Sequence, residues 1–505
     1  RRTLTFIRAT VRTGALLAMK RLLFTHSYFL RFDPKQWKAQ QAFPPLGTLF
    51  AAGVARESGH VVSLFDAQFE RSPEALLPRL ERERPEVLVV WDDGFNYLTK
   101  MCLTNMREAA LHMIRSASER GITVLVSSSD ASDHPELYLT AGAKYVLAGE
   151  GEQTLKELLD QGIPPFAPEI PGLIWQEAGV LKRSAAREVL RDLDRLPRPA
   201  WDLVDMQSYR ERWLKSAGRF SLNISTTRGC PFKCNWCAKP IYGNRYNIHG
   251  PERVVQDLIY LKEQYQPDHL WITDDIFGLK PGWVEAFAGL IEKAGIRIPF
   301  KIQSRVDLLL EENTVAALAR AGCEEVWVGA ESGAQHILDA MDKGTTVTQI
   351  REATRLLKSH GIRPAFFLQF GYPGETLEDI RATIRMVEEL EPADIGISVS
   401  YPLPGTVFHE RVRSDMRSKQ NWTDSDELAV MFRSTYPGSF YKELQRYVHR
   451  RFRARQALAA LRGWRAERSL SPKALRRIAA LPVYYTRALL HRRKLEAQLE
   501  QKLLA

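Results

Sequence analysis

Three cysteines lie within eight residues of one another, in the segment Cys230-Pro-Phe-Lys-Cys234-Asn-Trp-Cys237. The spacing C-x3-C-x2-C on one short loop can hold three corners of a cubane iron–sulfur cluster and leaves the fourth iron open for chemistry. Structural zinc prefers four closed ligands, and His249 is the only other His or Cys nearby in the sequence. The pattern therefore favours a [4Fe–4S] cluster on Cys230, Cys234 and Cys237 over zinc or free thiols.

Only two further cysteines, Cys102 and Cys323, occur among the 505 residues. Five cysteines are too few for a disulfide scaffold, and two are too few for a second four-cysteine cluster. Cys323 precedes an apolar stretch and is interpreted as a core thiol. The cysteine usage indicates a reducing, cytoplasmic compartment.

The composition, 45% hydrophobic and 26% charged, is typical of a folded soluble chain. No uninterrupted apolar run reaches the roughly 18 residues that a membrane-spanning helix needs. Residues 1–19 form a basic segment, but Arg8 and Arg12 interrupt its apolar stretch and no cleavage site stands out, so a signal peptide is not expected. The sequence therefore does not predict an integral membrane protein or a secreted one.

Residues 20–161 alternate short apolar strands with helix-length segments, which predicts an α/β domain with a doubly wound, Rossmann-like parallel sheet. The predicted strands are Arg21–Thr25, His60–Phe65, Glu86–Trp91, Ile122–Val126 and Lys144–Ala148. Ligands bind beyond the carboxyl ends of such strands, where small and polar residues cluster in this sequence. We therefore expect a large ligand at that edge.

Residues 162–220 are predicted to form a linker that contains one hairpin, and the alternation of strands and helices resumes over residues 221–406. The six strands predicted there are Leu222–Thr226, His269–Thr273, Phe300–Gln303, Glu325–Gly329, Pro364–Phe370 and Ile395–Ser400. Six βα units predict a partial (β/α)6 barrel with its site at the carboxyl ends of the strands. Residues 407–505 are predicted to form a helical, basic C-terminal domain.

The segment Thr226-Thr227-Arg228-Gly229-Cys230 through Cys237-Ala238 resembles the signature of radical S-adenosylmethionine (SAM) enzymes. The resemblance implies that the open iron binds SAM and that one electron from the cluster cleaves SAM to a 5′-deoxyadenosyl radical. It also implies SAM contacts at four strand ends. The residues concerned are Asp274, Asp275, Arg305, Glu331 and Gly371.

Motifs outside the barrel resemble the cobalamin-binding group of this superfamily, which contains the anaerobic magnesium-protoporphyrin monomethyl ester cyclase and phosphonate methylase relatives. The resemblance covers roughly residues 20–406 and implies that cobalamin is bound at the edge of the N-terminal sheet. The residues expected there are Pro45, Leu46, Asp66, Asn96, Tyr97, Ser127, Ser128, Gly149, Glu150 and Gly151. Two features differ from the group. No Asp-x-His-x-x-Gly occurs, so no histidine of that motif can bind cobalt, and Ser127-Ser128-Ser129-Asp130 stands where the group has a Gly-Gly-x-His loop.

The positive charge is concentrated at one end of the chain. Residues 441–505 hold 17 Lys and Arg against 4 Asp and Glu, a net +13, whereas residues 1–440 carry a net −2. This distribution does not favour nucleic acid as a partner. A basic amphipathic segment can contact the inner face of an anionic membrane peripherally, but solvated helices that pack on the barrel explain the same pattern.

The leading hypothesis is a cobalamin-dependent radical SAM enzyme that methylates an unactivated carbon. A reductant such as flavodoxin or ferredoxin would supply the electron, and a membrane location would favour an apolar substrate. Oxidative cyclisation of the cyclase type is an alternative within the same group. A non-catalytic sensor that binds the cluster and cobalamin is an alternative of another class. The sequence does not identify the substrate or the oligomeric state.

Overall fold

A computed structural model describes residues 19–95, 102–165, 167–239, 241–467 and 472–504. Almost all of the basic segment 1–19, and both Asn96 and Tyr97, lie outside these described residues. The two predicted sheets are both present, and the C-terminal helices pack against the second of them.

The first sheet has seven strands in the order β2-β1-β3-β4-β5-β6-β7. Its strands are β1 Arg21–Thr25, β2 Val61–Phe65, β3 Val87–Trp91, β4 Thr123–Ser127, β5 Tyr145–Leu147, β6 Leu173–Glu177 and β7 Val180–Arg183. The helices around it are α1 Pro34–Ala39, α2 Leu46–Glu57, α3 Leu77–Glu83, α4 Thr104–Ser118, α5 Ser129–Asp133, α6 Pro135–Thr140 and α7 Glu152–Asp160. Every residue of β3 is buried because helices cover both faces of the sheet. The five predicted strands are confirmed to within a residue or so at each end.

The hairpin predicted in the linker forms, but it belongs to the first sheet. β6 pairs antiparallel with β5, with Ile174 opposite Val146 and Leu173 opposite Leu147. The apolar start of β6 is buried and covers the edge of β5, whose unpaired backbone groups would otherwise face solvent. The sheet therefore extends to Arg183 rather than ending near residue 161.

The second sheet is the predicted partial barrel, with six parallel strands in the order β15-β14-β13-β12-β11-β8. Its strands are β8 Ser221–Ile224, β11 His269–Ile272, β12 Phe300–Ser304, β13 Cys323–Glu331, β14 Arg363–Phe370 and β15 Asp394–Val399. A separate antiparallel pair, β9 Thr227–Arg228 and β10 Asn247–Ile248, flanks the cysteine loop. The helices are α8 Met206–Ala217, α9 Pro251–Tyr265, α10 Trp283–Ala294, α11 Val306–Leu309, α12 Thr314–Ala321, α13 Gln335–Ala340, α14 Val347–Ser359, α15 Leu377–Leu390 and α16 Val407–Val412.

The C-terminal region combines an irregular segment with three helices, α17 Gly438–Glu467, α18 Pro472–Ala479 and α19 Leu481–Leu504. α17 and α19 pack against each other, and α17 also contacts α15 and β15. The irregular segment reaches the first domain, where the backbone N–H of Thr104 donates to the carbonyl of Trp422 at 2.9 Å. Within the described residues, no helix has the length and apolar character needed to span a bilayer.

Candidate active site

The three-cysteine loop leaves the first strand of the half-barrel at a position that only glycine can occupy. Gly229 has φ +79°, and a Cβ at this position would collide with the backbone carbonyl of Arg245. β9 precedes the loop and pairs with β10, so the turn is fixed on one side by a backbone ladder. The sequence therefore places Cys230 directly beyond the carboxyl edge of the half-barrel.

Asn235 anchors the middle of the loop. Its Nδ2 donates to the carbonyl of Ala340 at 2.8 Å and to Asp342 Oδ2 at 2.7 Å, and its Oδ1 accepts from Tyr372 Oη at 2.9 Å. The backbone N–H of Phe408 donates to the carbonyl of Asn235. Because these partners come from separate parts of the barrel, the positions of Cys234 and Cys237 depend on the folded domain. The sequence analysis did not single out Asn235.

The loop has the donors and the surroundings that a cluster requires. All three thiols are partly exposed, and burial raises the pKa of Cys230 above its ordinary value, so binding iron must release a proton. Arg305 Nη1 lies 3.9 Å from Cys234 Sγ. The Arg305 guanidinium also pairs with Asp307 Oδ1 at 2.9 Å, so an ion pair lies beside the loop.

The donor set of the loop differs from that of a closed zinc site, which normally has four ligands. Among the residues that the structure describes, no three His, Cys, Asp or Glu side chains are close enough together to hold one metal ion. A tetrahedral zinc with Zn–S bonds of about 2.3 Å would hold its sulfurs close together, whereas a cubane carries each thiolate on a different iron. His249 Nδ1 is paired with Asp194 Oδ1 at 2.8 Å, and no set of three potential metal ligands among the described residues includes His249. The thiols therefore fit a cluster better than zinc.

The two adjacent aspartates predicted to contact SAM have different environments. Asp274 is buried and accepts from the backbone N–H groups of Thr226 and Thr227 at 2.6 and 3.0 Å. Burial raises the pKa of Asp274 to about 7, although these hydrogen bonds act in the opposite direction. Asp275 is exposed and lines a cavity together with Cys237. Asp274 therefore supports the start of the loop, and Asp275 is the carboxylate that a ligand can reach.

Arg305, Glu331 and Lys343 form a charged group beside the cysteine loop. Arg305 Nη1 donates to the carbonyl of Lys343 at 2.8 Å, and Lys343 Nζ donates to Glu331 Oε1 at 2.9 Å. Burial disfavours the charged form of Lys343, but Glu331 outweighs it and raises the pKa of the ammonium group. The hydroxyl of Thr345 nearby is buried without a hydrogen-bond partner. These groups fit the zwitterionic end of SAM, and no signal in the sequence pointed to Lys343.

Gly371, at the end of β14, is packed against the C-terminal region. It has φ +81°, its N–H donates to Glu375 Oε2 at 2.7 Å, and a Cβ there would lie 3.1 Å from Cζ of Tyr441. Gly371 is therefore constrained by its backbone conformation and by its contact with α17.

The carboxyl edge of the first sheet meets the cysteine loop through a buried ionic group. Arg228, two residues before Cys230, lies 2.5 Å from Glu150 Oε1 and 2.8 Å from Glu152 Oε1. The Arg228 guanidinium also lies over the rings of Phe95 and Tyr242. The carboxylate of Glu150, expected to contact cobalamin, thus contacts the second domain.

Most other residues expected to bind cobalamin are engaged within the protein. Asp66 accepts from Tyr209 Oη at 2.7 Å and pairs with His26 Nε2 at 2.9 Å, and His26 Nδ1 accepts from the N–H of Tyr28. Both ring nitrogens of His26 are therefore occupied, which excludes it as a cobalt ligand in this arrangement. Ser128 caps α5 by accepting from the N–H of Ala131.

The remaining expected residues support the backbone of the same edge. Ser127 Oγ donates to the carbonyl of Leu147 at 3.3 Å, and the carbonyl of Pro45 accepts the N–H of Leu49 where α2 begins. Leu46 is buried, and Gly149 has a positive φ. A Cβ at Gly151 would lie 2.8 Å from the ring of Trp91. None of the residues expected to bind cobalamin that the structure describes lines the cavity between the two domains.

A cavity of about 100 Å³ separates the two facing edges. It is lined by residues from both domains and the C-terminal segment, among them Asp130, His134, Trp236, Cys237, Asp275 and Tyr401. Among the residues that the structure describes, the buried indole N–H of Trp236 has no hydrogen-bond partner, so a polar ligand here would satisfy it. Small-molecule pockets typically measure about 300–1,000 Å³, so a corrin would require these edges to separate.

Residues 224–387 match the family model described as the radical SAM superfamily. The chain is 27% identical to an uncharacterized methyltransferase of Pyrococcus horikoshii over 384 residues, 75% of this chain and 81% of that protein. It is 24% identical to the anaerobic magnesium-protoporphyrin IX monomethyl ester cyclase of Rubrivivax gelatinosus over 72% of this chain and 65% of that protein. It is 27% identical to the hopanoid C-3 methylase of Methylococcus capsulatus over 79% of this chain and 75% of that protein.

Two solved structures share the fold. The cobalamin-dependent radical SAM enzyme OxsB, solved with aqua-cobalamin and SAM, gives a TM-score of 0.71 at 17% identity, covering 94% of this chain and 72% of that chain. The radical SAM methyltransferase TsrM of Kitasatospora setae, solved with cobalamin and a [4Fe–4S] cluster, gives 0.64 at 20% identity, covering 79% and 78%. The chain therefore contains a radical SAM domain of the radical SAM superfamily within a fold that it shares with cobalamin-dependent radical SAM enzymes.

Proposed function

We propose that this chain is a cobalamin-dependent radical SAM enzyme that methylates an unactivated carbon. One observation carries the proposal: the three-cysteine loop of the radical SAM domain faces the carboxyl edge of the Rossmann-like sheet across a cavity lined by both. Relatives named as methylases and methyltransferases support carbon methylation. When bound, the cluster and SAM supply one-electron cleavage of SAM, and cobalamin supplies the methyl group.

The chain's own residues have distinct tasks in this proposal. Cys230, Cys234 and Cys237 hold the cluster, while Arg305 keeps a positive charge beside Cys234. Glu331 and Lys343 offer an acceptor and a donor to the ammonium and carboxylate of SAM, and Asp275 offers a second acceptor. The described residues that were expected to bind cobalamin support the backbone of the carboxyl edge of the first sheet, which faces the cysteine loop.

Radical chemistry requires that water and stray hydrogen donors be kept away. The loop after β15 and the irregular segment that follows α16 contribute to this enclosure, since Tyr401, Leu403 and Asn421 line the cavity beside Cys237. Tyr401 is held by its hydroxyl, which donates to Asn421 Oδ1 at 2.8 Å, and its ring contacts Trp422 at 4.7 Å. The segment that encloses the cavity is thus tied to the first domain as well.

The inner face of the half-barrel supports an apolar substrate. Along β14, Phe366 and Leu368 are buried, so Phe367 points to the opposite, inner face, where it is 38% exposed. Its ring packs 4.7 Å from that of Trp327, and Gly396 leaves room beside both rings. Phe367 lies four residues below Gly371, or about 13 Å at 3.3 Å per residue. An aromatic floor at this depth favours an apolar substrate body.

Two partners belong to the same proposal. A one-electron carrier such as flavodoxin or ferredoxin reduces the cluster, because the cleavage consumes an electron that the protein itself does not generate. The basic C-terminal helices contact the inner face of the cytoplasmic membrane peripherally, which brings an apolar substrate within reach. The charge of residues 441–505 supports this second contact.

Anaerobic reconstitution with iron, sulfide, cobalamin, SAM and reductant tests the function. We expect bound iron and cobalt, and 5′-deoxyadenosine from SAM even without the natural substrate. S-adenosylhomocysteine in a ratio of one per methylated product supports methylation, whereas turnover without it supports the cyclisation for which one relative is named. Bound iron and cobalt without SAM cleavage would instead identify a sensor.

A further inference from the structure

A second cavity, of about 320 Å³, lies between α15, α17 and α18, and it shares no lining residue with the candidate active site. Its apolar floor includes Ile384, Val387, Val448 and Phe452. The cavity is therefore large enough for a small polar group that lies over an apolar surface.

Cations outnumber anions around this cavity, with Lys358, Arg451, Arg455 and Arg477 opposed only by Glu388 and Glu391. Arg451 pairs with Glu388, and Lys358 Nζ donates to the carbonyl of Leu390 at 2.7 Å. Arg455 Nη2 donates to the carbonyl of Glu388 at 2.9 Å, and its ionic contacts are long, at 3.9 Å to Glu388 and 3.7 Å to Glu391. The local charge is therefore incompletely neutralised.

Two of these cations have unused donors. The Nε of Arg455 is buried and has no hydrogen-bond partner within the described part of the chain. Arg477, which is partly buried, forms no hydrogen bond or ion pair with any residue that the structure describes, and burial together with Arg453 lowers its pKa. Buried donors without partners cost free energy that an anion in the cavity would recover.

The two helices that follow α17 in the chain expose apolar side chains, and one of them, α18, lines the cavity through Arg477. α18 and α19 expose five large apolar side chains to between 44% and 61%: Leu475, Val483, Tyr485, Leu489 and Leu490. Residues 441–505, which include these two helices and most of α17, carry the net charge of +13. A surface of this kind suits the interface of a membrane that contains anionic lipid.

We propose that this cavity binds the phosphate head group of an anionic membrane phospholipid, with Arg455 and Arg477 as donors and the exposed side chains of α18 and α19 against the acyl region. The proposal deepens the peripheral membrane contact proposed above and is independent of the radical chemistry. The membrane contact then depends on a defined lipid-binding cavity and not only on general electrostatic attraction of a basic segment to the membrane.

Flotation of the full chain with vesicles tests the site, comparing phosphatidylcholine alone with phosphatidylcholine that contains phosphatidylglycerol. We expect binding only to the anionic vesicles. Arg455→Ala and Arg477→Ala should each lower the partition coefficient about tenfold or more, whereas a surface charge near a membrane is worth only about fivefold. Arg493→Ala removes the same charge from the exposed side of α19 and serves as the matched control.

Ala460→Leu fills the cavity without changing the charge, so it should also lower binding if the site exists. Equal losses for Arg493→Ala and Arg477→Ala, or full binding by Ala460→Leu, would overturn the proposal in favour of diffuse electrostatics. In calorimetry, dihexanoyl phosphatidylglycerol should bind more tightly than inorganic phosphate, and equal affinity would indicate a site for free phosphate. Melting curves establish that each variant folds.

Cys234→Ala should bind vesicles like the wild type, because its thiol is remote from the cavity lining. This separates the two proposals. Loss of SAM cleavage with intact vesicle binding leaves the lipid site standing, and loss of vesicle binding with intact SAM cleavage removes the lipid site alone.

Discussion

Arg228 and Glu150 join the two sheets of this protein through a buried ion pair, with Nη1 of the arginine 2.5 Å from Oε1 of the glutamate. Both side chains are almost fully buried, and Arg228 lies two residues before the first cysteine of the loop. The position of the cysteine loop is therefore coupled directly to the carboxyl edge of the N-terminal sheet.

Removing the arginine should be more damaging than neutralising one of its partners. Arg228→Met leaves Glu150 and Glu152 buried without a counter-charge, and we expect a loss of about 3–5 kcal/mol in the free energy of unfolding. Glu150→Gln should cost less, because burial already raises the pKa of Glu150 and Glu152 still pairs with Arg228. Urea denaturation measures both variants, and equal costs would contradict this account of the pair.

The cysteine loop and the core thiol should respond differently to the same substitution. Cys234→Ala should abolish both the visible absorption of the reconstituted cluster and the formation of 5′-deoxyadenosine. Cys323→Ala, in a buried strand, should retain both. Iron content and product analysis provide the measurement, and a fully active Cys234→Ala enzyme is incompatible with the assigned ligands.

Substitution of the two adjacent aspartates should affect different properties, the stability of the fold at Asp274 and the binding of SAM at Asp275. Asp274→Ala removes the acceptor of two backbone donors and should lower the free energy of unfolding by about 1–3 kcal/mol. Asp275→Ala, at an exposed carboxylate, should lower the melting temperature less than Asp274→Ala does and should weaken binding of SAM to the reconstituted protein. Calorimetric titration with SAM and thermal melting of both variants test this, and the reverse assignment of effects would refute it.

Glu375 should make the stability of the wild type fall as pH rises. Burial raises the pKa of Glu375 from 4.5 to about 8, and no described residue forms a hydrogen bond with its Oε1. The unfolded chain titrates near 4.5, so the contribution of this group is full below that pH and is lost as the pH rises through about 8. Between these values the loss is about 1.4 kcal/mol per pH unit.

Glu375→Gln should remove this dependence while keeping an acceptor for the N–H of Gly371. Denaturant titrations measure the free energy of unfolding of both proteins across this pH range. The difference between the two reports Glu375 alone, because the proteins share every other titratable group. Parallel profiles for the two proteins would show that Glu375 is ionised in the folded state at neutral pH.

Two glycines with similar backbone conformations should tolerate alanine unequally. Gly361 has φ +74° with open space around it, so Gly361→Ala should cost only the left-handed strain of about 1–2 kcal/mol. Gly371→Ala adds contact with the ring of Tyr441 and should cost at least about 1 kcal/mol more. Thermal unfolding of both variants gives the comparison, and similar losses would show that Tyr441 moves aside without cost.

The sequence by itself determined the strands, both sheets and the cysteine loop. These features depend on residues that are close together along the chain, such as the apolar run of β3 or the spacing of Cys230, Cys234 and Cys237. Local patterns of this kind are set by backbone geometry and burial, and they do not require knowledge of distant partners.

Only the tertiary structure decided which of the polar residues at the strand ends face a ligand. Arg228 pairs with Glu150, which is 78 positions away along the chain. Asp274 supports the backbone at the start of the cysteine loop and Asp275 lines the cavity, although their adjacent positions in the sequence do not distinguish these roles. Lys343 reaches Glu331 only because the loop after α13 folds back over the end of β13. Partner choice depends on how loops from separate strands pack, and that packing is a property of the whole fold rather than of any segment.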